Sequence, residues 1–188
     1  MKIGLYFGSF NPIHIGHLII ANHIVEHTDL DKIWFVISPQ NPLKPASSLL
    51  NEYHRLHLVQ LAIENDTRFK ASNIEFKLPR PSYTIDTLTY LSEQYSKYSF
   101  SIIMGSDSYN NLENWKNYEL LLSNYPIIVY SREGFVPEKK SEKSTFLQAP
   151  LLNISSTFIR EQIRQGKSVR YLVPDLVFQE LEAANYYK

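Results

Sequence analysis

Two histidines, His14 and His17, stand on either side of Gly16 in the stretch GSFNPIHIGH, directly after the apolar run of residues 3–7. Imidazole N–H groups donate hydrogen bonds to phosphate oxygens, and two this close can serve one ligand. Gly8 removes a side chain where the run ends, which lets a ligand approach the backbone. Asn11-Pro12 then forces an extended turn. Gly16 and His17 open a helical pattern, and the N–H groups at a helix start favour anions. Phosphate binding is the chemistry these residue types favour. A histidine pair for a metal, short of further ligands, and two polar residues without a role are the alternatives.

A second group of the same kind lies in NISSTFIREQIRQG. Ser155, Ser156 and Thr157 suit a helix N-cap, Gly166 suits the helix end, and Arg160 falls about one turn in. A helix start with an arginine beside it is another anion cradle. Taken alone, a capped helix with a solvated arginine is the simpler reading. His23 and His27 are spaced i, i+4 without the glutamate of a HExxH pattern, and with His54 and His57 they read as surface or core-edge residues.

These residues must be placed by the elements around them. Short apolar, β-branched runs alternate with helical segments throughout the chain. The pattern predicts strands over residues 2–7, 32–38, 69–74, 100–105 and 125–132, with a short last one at 145–149. It predicts helices over residues 16–27, 52–64, 84–95, 155–166 and 174–185, the first with Leu18, Ala21, Ile24 and Val25 on one face. Residues 39–48 form a Pro-rich loop and residues 133–144 a polar one. Such alternation predicts an α/β, Rossmann-like parallel sheet with helices on both faces, whose ligands bind at the carboxyl ends of the strands.

A chain of 188 residues with 44% apolar residues suits one domain, residues 1–188, with a full core. Lys and Arg balance Asp and Glu at 19 each, so no global basic field points to long nucleic acid. With no cysteine there is neither a disulfide framework nor a thiolate metal site. No run approaches the roughly 18 apolar residues a membrane helix needs, and residues 1–12 lack a signal-peptide layout. The expected setting is the cytoplasm without membrane attachment, and a homo-oligomer stays open.

The first stretch resembles the nucleotidylyltransferase signature G-x-F-x-P-x-H-x-G-H, with Gly8, Phe10, Pro12, His14, Gly16 and His17 at its fixed positions. Residues 154–160 are similar to the second signature, I-S-S-T-x-I-R, from Ile154 to Arg160. The stretches RPSYTIDTL, GSDSYNNLENWKNY and SVRYLVP, with Lys44 in PQNPLKP, resemble one branch, the bacterial nicotinate-nucleotide adenylyltransferases. That branch often has His before the lysine, where this chain has Leu43.

The resemblance implies the nucleotidylyltransferase fold and transfer of the adenylyl group of ATP to nicotinate mononucleotide, forming deamido-NAD and pyrophosphate. It implies His14, His17, Lys44 and Arg160 as catalytic residues on the phosphates. Gly8, Ser9, Phe10, Gly16, Gly105, Asp107, Ile154, Ser155, Ser156 and Thr157 would bind ATP. Tyr83, Thr84 and Trp115 would bind the mononucleotide. Physically, Trp115 offers a face for a pyridine ring or fills a partly buried core position. Tyr83 and Thr84 are donors at a helix start or its cap, and Asp107 either meets a ribose hydroxyl or caps the next helix. No Lys or Arg adjoins Tyr83 and Thr84 on the C-terminal side, so hydroxyl and backbone donors are expected to read the ring carboxylate. Mg2+ would arrive with ATP and need no protein cage. Nicotinamide mononucleotide or phosphopantetheine as acceptor, and a nucleotide-binding module without catalysis, are the competing readings.

Overall fold

Strand β1 (Lys2–Gly8) takes the centre of the sheet because its residues are apolar on both sides, as a strand buried on both faces must be. The computed structural model describes residues 1–40, 49–132, 134–136, 141–150 and 152–188. The other strands are β2 (Lys32–Ile37), β3 (Phe69–Ser72), β4 (Ser99–Gly105), β5 (Ile127–Tyr130) and β6 (Ser144–Leu147). They form one sheet in the order β3-β2-β1-β4-β5-β6, and every pairing is parallel. The order reverses between β1 and β4. Open α/β sheets bind ligands at such a switch point, outside the strands' carboxyl ends. Here those ends are Gly8 and Gly105.

The helices are α1 (Ile15–His27), α2 (Glu52–Ile63), α3 (Thr84–Gln94), α4 (Ser106–Asn110), α5 (Tyr118–Asn124), α6 (Ser156–Arg164) and α7 (Asp175–Ala183). Alternate strand residues point to opposite faces, so β1 sends Ile3 and Leu5 to one core and Tyr6 to the other. Helices α1, α2, α6 and α7 cover the Tyr6 side, where Ile20, Ile24, Leu58, Ile159 and Val177 are buried. Helices α3, α4 and α5 cover the other side with Leu88, Tyr109 and Leu121.

The predicted Rossmann-like architecture is the observed one, with particular differences. On α1 the buried residues include Ile20, whereas Leu18 and Val25 are only partly buried. Strand β3 stops at Ser72, and Ile74–Lys77 turns as a 3-10 helix. Strand β5 is shorter than the apolar run at both ends. Pro126 has no N–H for the ladder, and Arg132 donates its own N–H to Ser106 Oγ at 2.8 Å. Helices α4 and α5 were not legible, because seven or fewer residues carry too little periodicity.

One side chain closes the sheet's carboxyl edge. Arg55 of α2 is fully buried and donates to the carbonyls of Leu50 at 2.8 Å, Ser9 at 2.5 Å, Ser38 at 2.9 Å and Pro39 at 3.0 Å. It therefore ties the exit of β1, the exit of β2 and the entry of α2 together. A buried carbonyl stripped of its donor costs about 1–3 kcal/mol. Arg55→Leu should destabilise the fold by at least about 3 kcal/mol. Urea denaturation with an unchanged m-value checks this, and a loss under about 1 kcal/mol would contradict it.

Candidate active site

The turn leaving β1 is tight. Phe10 adopts a left-handed conformation, with φ of 44°, and the Asn11-Pro12 peptide is cis. A Cβ on Gly8 would lie 2.8 Å from the Phe10 ring, so this packing favours glycine. The residue still lines the cavity.

His14 caps α1 in extended conformation, and its ring stacks on His17 with centroids 3.7 Å apart. The His14 backbone N–H donates to His17 Nδ1 at 3.3 Å. A neutral His17 therefore carries its proton on Nε2. His14 is buried and its Nδ1 has no hydrogen-bond partner. Burial, assisted by the charge of Arg132, lowers its pKa to about 4, so at neutral pH the ring is uncharged. The start of α1 is less open than a bare helix end. Ile15 donates to the Leu172 carbonyl and His17 to the His14 carbonyl, each at 3.0 Å.

The second signature meets the first directly. Ser155 caps α6 by accepting from the Phe158 N–H at 3.1 Å. Ser156 Oγ donates to the Pro12 carbonyl at 2.9 Å, and Arg160 Nη1 donates to the Asn11 carbonyl at 2.8 Å. Arg160 Nη2 is 3.3 Å from Thr157 Oγ1, while its buried Nε has no partner. Lys44 and Leu43 lie outside the described residues.

At the end of β4, Asp107 faces Arg132 across 3.4 Å. A Cβ on Gly105 would fall 2.5 Å from Asp107 Oδ1 and 2.8 Å from Arg132 Nε, so the glycine makes room for this pair. Arg132 also donates to the Tyr130 hydroxyl at 3.1 Å, and Tyr6 is 3.3 Å from the same hydroxyl. The sequence reading missed Arg132. Its place just after the apolar run YPIIVYS, at a strand's carboxyl end, is the signal that could have found it.

Farther along, Tyr83 precedes α3 without a side-chain cap bond, and Thr84 begins the helix. Trp115 is partly buried against the second core and lines the same cavity. No Lys or Arg adjoins Tyr83 and Thr84 in sequence on the C-terminal side, but the fold brings one from farther along. Lys116 sits 4.7 Å over the Tyr83 ring and bonds both oxygens of Asp86, at 2.8 and 3.1 Å. Glu75, also missed, is buried and accepts from Ser82 at 2.8 Å and Thr87 at 3.0 Å. Desolvation raises its pKa.

All the predicted site residues with described positions border one cavity of about 1170 Å³. Among the described residues no cluster of three or more His, Asp or Glu could hold a metal. A parallel sheet in this strand order, with both signatures lining one cavity at its switch point, is the nucleotidylyltransferase fold. Residues 5–162 match the cytidylyltransferase-like family model. A Flavobacterium psychrophilum protein carrying the name "Probable nicotinate-nucleotide adenylyltransferase" is 50% identical over 195 residues, covering 100% of both chains. Its counterpart from Flavobacterium johnsoniae is 51% identical over 192 residues, again covering 100% of both. The Plasmodium falciparum nicotinic acid mononucleotide adenylyltransferase, solved with NaAD, superposes with a TM-score of 0.85 at 23% identity, over 99% of this chain and 97% of that one. The chain belongs to the cytidylyltransferase-like family and, within it, to the nicotinate-nucleotide adenylyltransferases.

The low pKa of His14 has a consequence for stability. The unfolded chain binds a proton near pH 6.5, while the fold holds this ring neutral down to about 4. Stability should therefore fall as pH drops through that window, by on the order of 3 kcal/mol from this group. Denaturation of wild type and His14→Asn at pH 7, 5.5 and 4.5 checks this. The variant should show a shallower pH dependence, and parallel curves would contradict the assignment.

Proposed function

We infer that this protein transfers the adenylyl group of ATP to nicotinate mononucleotide, giving nicotinate adenine dinucleotide (deamido-NAD) and pyrophosphate, a step of NAD biosynthesis. The observation carrying the reading is the joining of both signatures at one cavity, with Arg160 and Ser156 bonded to the turn that leads into His14 and His17. The full-length relatives named for this activity support it.

A mononucleotide 5′-phosphate is already ionised at neutral pH, so its oxygen attacks the α-phosphorus of ATP without a general base. The new P–O bond forms in line as the bond to the bridging oxygen breaks, and pyrophosphate departs with the electron pair. Catalysis is then positioning and charge stabilisation. We assign His17, with its proton on Nε2, and the neutral His14 to the α- and β-phosphate oxygens. Arg160, whose Nε is unpartnered, covers the triphosphate together with Lys44, and Arg132 adds a further cation. The backbone of Gly8, Ser9, Phe10, Gly16 and Gly105, with Asp107 and residues 154–157, surrounds the adenosine and its phosphates. Trp115 stacks on the pyridine ring, and Tyr83 and Thr84 hold its carboxylate.

The donor set fits an ion carried in by ATP rather than one held by the protein, since the described residues form no carboxylate cage. Mg2+ bound to the phosphates would shield their charge. No helix among the described residues is long and apolar enough to cross a membrane, and we place the reaction in the cytoplasm.

Incubating the protein with ATP and nicotinate mononucleotide, nicotinamide mononucleotide or phosphopantetheine tests the reading. Deamido-NAD and pyrophosphate should form, with kcat/KM for the acid well above that for the amide. Equal values would overturn the substrate assignment, and no pyrophosphate with any acceptor would overturn the enzyme. His17→Ala should fold normally and lose on the order of 10²–10³ in kcat, the usual effect of one lost transition-state donor. Turnover within a few-fold of wild type would remove His17 from the mechanism.

A further inference from the structure

We propose that the segment after α7 braces the phosphate-binding turn, with the Tyr187 hydroxyl as a positioning group for the nucleotide. The inference rests on the adenylyltransferase reading for its choice of substrate. Helix α7 ends at Ala183, and the chain then turns back through two left-handed residues, Asn185 at φ 53° and Tyr187 at φ 67°. A bulky residue holds such a conformation only where its surroundings over-determine it.

The surroundings of Tyr187 are the first signature. Its hydroxyl donates to Asn11 Oδ1 at 2.7 Å. The same oxygen accepts the Leu50 N–H at 3.1 Å, so both lone pairs of the side-chain carbonyl are engaged. The Asn11 backbone carbonyl meanwhile accepts Arg160 Nη1 at 2.8 Å. Asn11 is thus gripped from α6, from the entry of α2 and from the tail. It lies three residues before His14, in a turn that has no strand or helix of its own to fix it. Burial keeps the Tyr187 hydroxyl protonated, and so a donor, well above the ordinary tyrosine range.

The neighbouring tyrosine provides an internal control. Tyr186 turns to α2, where its hydroxyl is 2.7 Å from His54 Nδ1 on the exposed surface. Both residues anchor the same tail, but only Tyr187 reaches the turn. If the tail merely stabilised the fold, losing the Tyr187 hydroxyl would lower the thermal midpoint and leave the KM for ATP unchanged. If it positions the turn, only Tyr187 should affect the nucleotide.

Tyr187→Phe, Tyr186→Phe and Asn11→Ala, singly and with Tyr187→Phe combined with Asn11→Ala, test the proposal in the full chain. We expect Tyr187→Phe to keep its thermal midpoint within a few degrees and to lose roughly 5–20-fold in kcat/KM for ATP. Its KM for nicotinate mononucleotide should not change, Tyr186→Phe should match wild type, and the loss should vanish in the Asn11→Ala background. Activity of Tyr187→Phe within twofold of wild type, an equal loss in Tyr186→Phe, or full additivity with Asn11→Ala would overturn the brace. Should wild type transfer no adenylyl group, the enzyme reading alone fails. Calorimetric ATP affinity then decides the brace, which stands if Tyr187→Phe binds ATP more weakly and falls if the affinities are equal.

Discussion

The turn from Ser9 to Pro12 follows the last residue of a central strand and must keep its shape without a hydrogen-bond ladder. Its polar groups are satisfied from elsewhere in the chain. Arg55 holds the Ser9 carbonyl, Arg160 the Asn11 carbonyl and Ser156 the Pro12 carbonyl. Each donor comes from a helix packed on the same face of the sheet as α1. The site is therefore a property of the assembled layer rather than of the signature segment. Burying that face brings the donors to the turn, and the occupied turn in turn sets the angle at which His14 enters α1. Buried backbone groups are almost always paired, so the arrangement has few alternatives.

On the proposed reading, the charge around the turn serves a polyanion. The chain has no net charge, yet Arg55, Arg132 and Arg160 converge near one end of the sheet. His14 stays neutral there because its ring is buried, with the charge of Arg132 adding to the effect; an uncharged imidazole N–H still offers a directed donor. Asp107 balances part of Arg132 and fixes its direction, with Tyr130 holding the guanidinium from the other side.

Much of this was legible before any coordinates, and the reasons are specific. The central strands announced themselves because a parallel strand buried on both faces is a continuous apolar run, as in residues 100–105. The turn and cap residues of the two signatures are local chemistry, so Ser155 caps α6 as read. What escaped was long-range. Nothing beside Arg55 in sequence shows that it would lie fully buried on four carbonyls, and EYHRLHLVQLAI around it reads as an ordinary helix. Phe10, two residues on, packs against Gly8, a second reason for that glycine which the sequence alone does not show. Lys116 lies thirty residues beyond Asp86, and only the packing of the α4–α5 region on α3 brings the two together.

On the proposed reading, the far end of the cavity prefers an acid over an amide through directed donors rather than through a cation. Lys116 lies over the Tyr83 ring beside the start of α3, but both oxygens of Asp86 already bind it. Its charge is largely spent within α3's first turn. Beneath that turn Glu75 is buried, with its two oxygens occupied by Ser82 and Thr87 on either side of Tyr83 and Thr84. A buried acid this close would oppose a second carboxylate if charge alone decided. On the proposed reading it does not decide. Glu75 instead fixes the residues that flank the helix start, so the donors at Thr84 meet the ring substituent in one orientation. A carboxylate can accept from all of them. An amide in the same place turns its NH2 toward backbone N–H groups, which can only donate, and must rely on a hydroxyl such as that of Thr84 turning to accept, so polar atoms are left unpaired at a larger penalty than the loss of a single favourable bond. Selectivity of this kind depends on the rigidity of the helix start, which is what a fully bonded Glu75 provides.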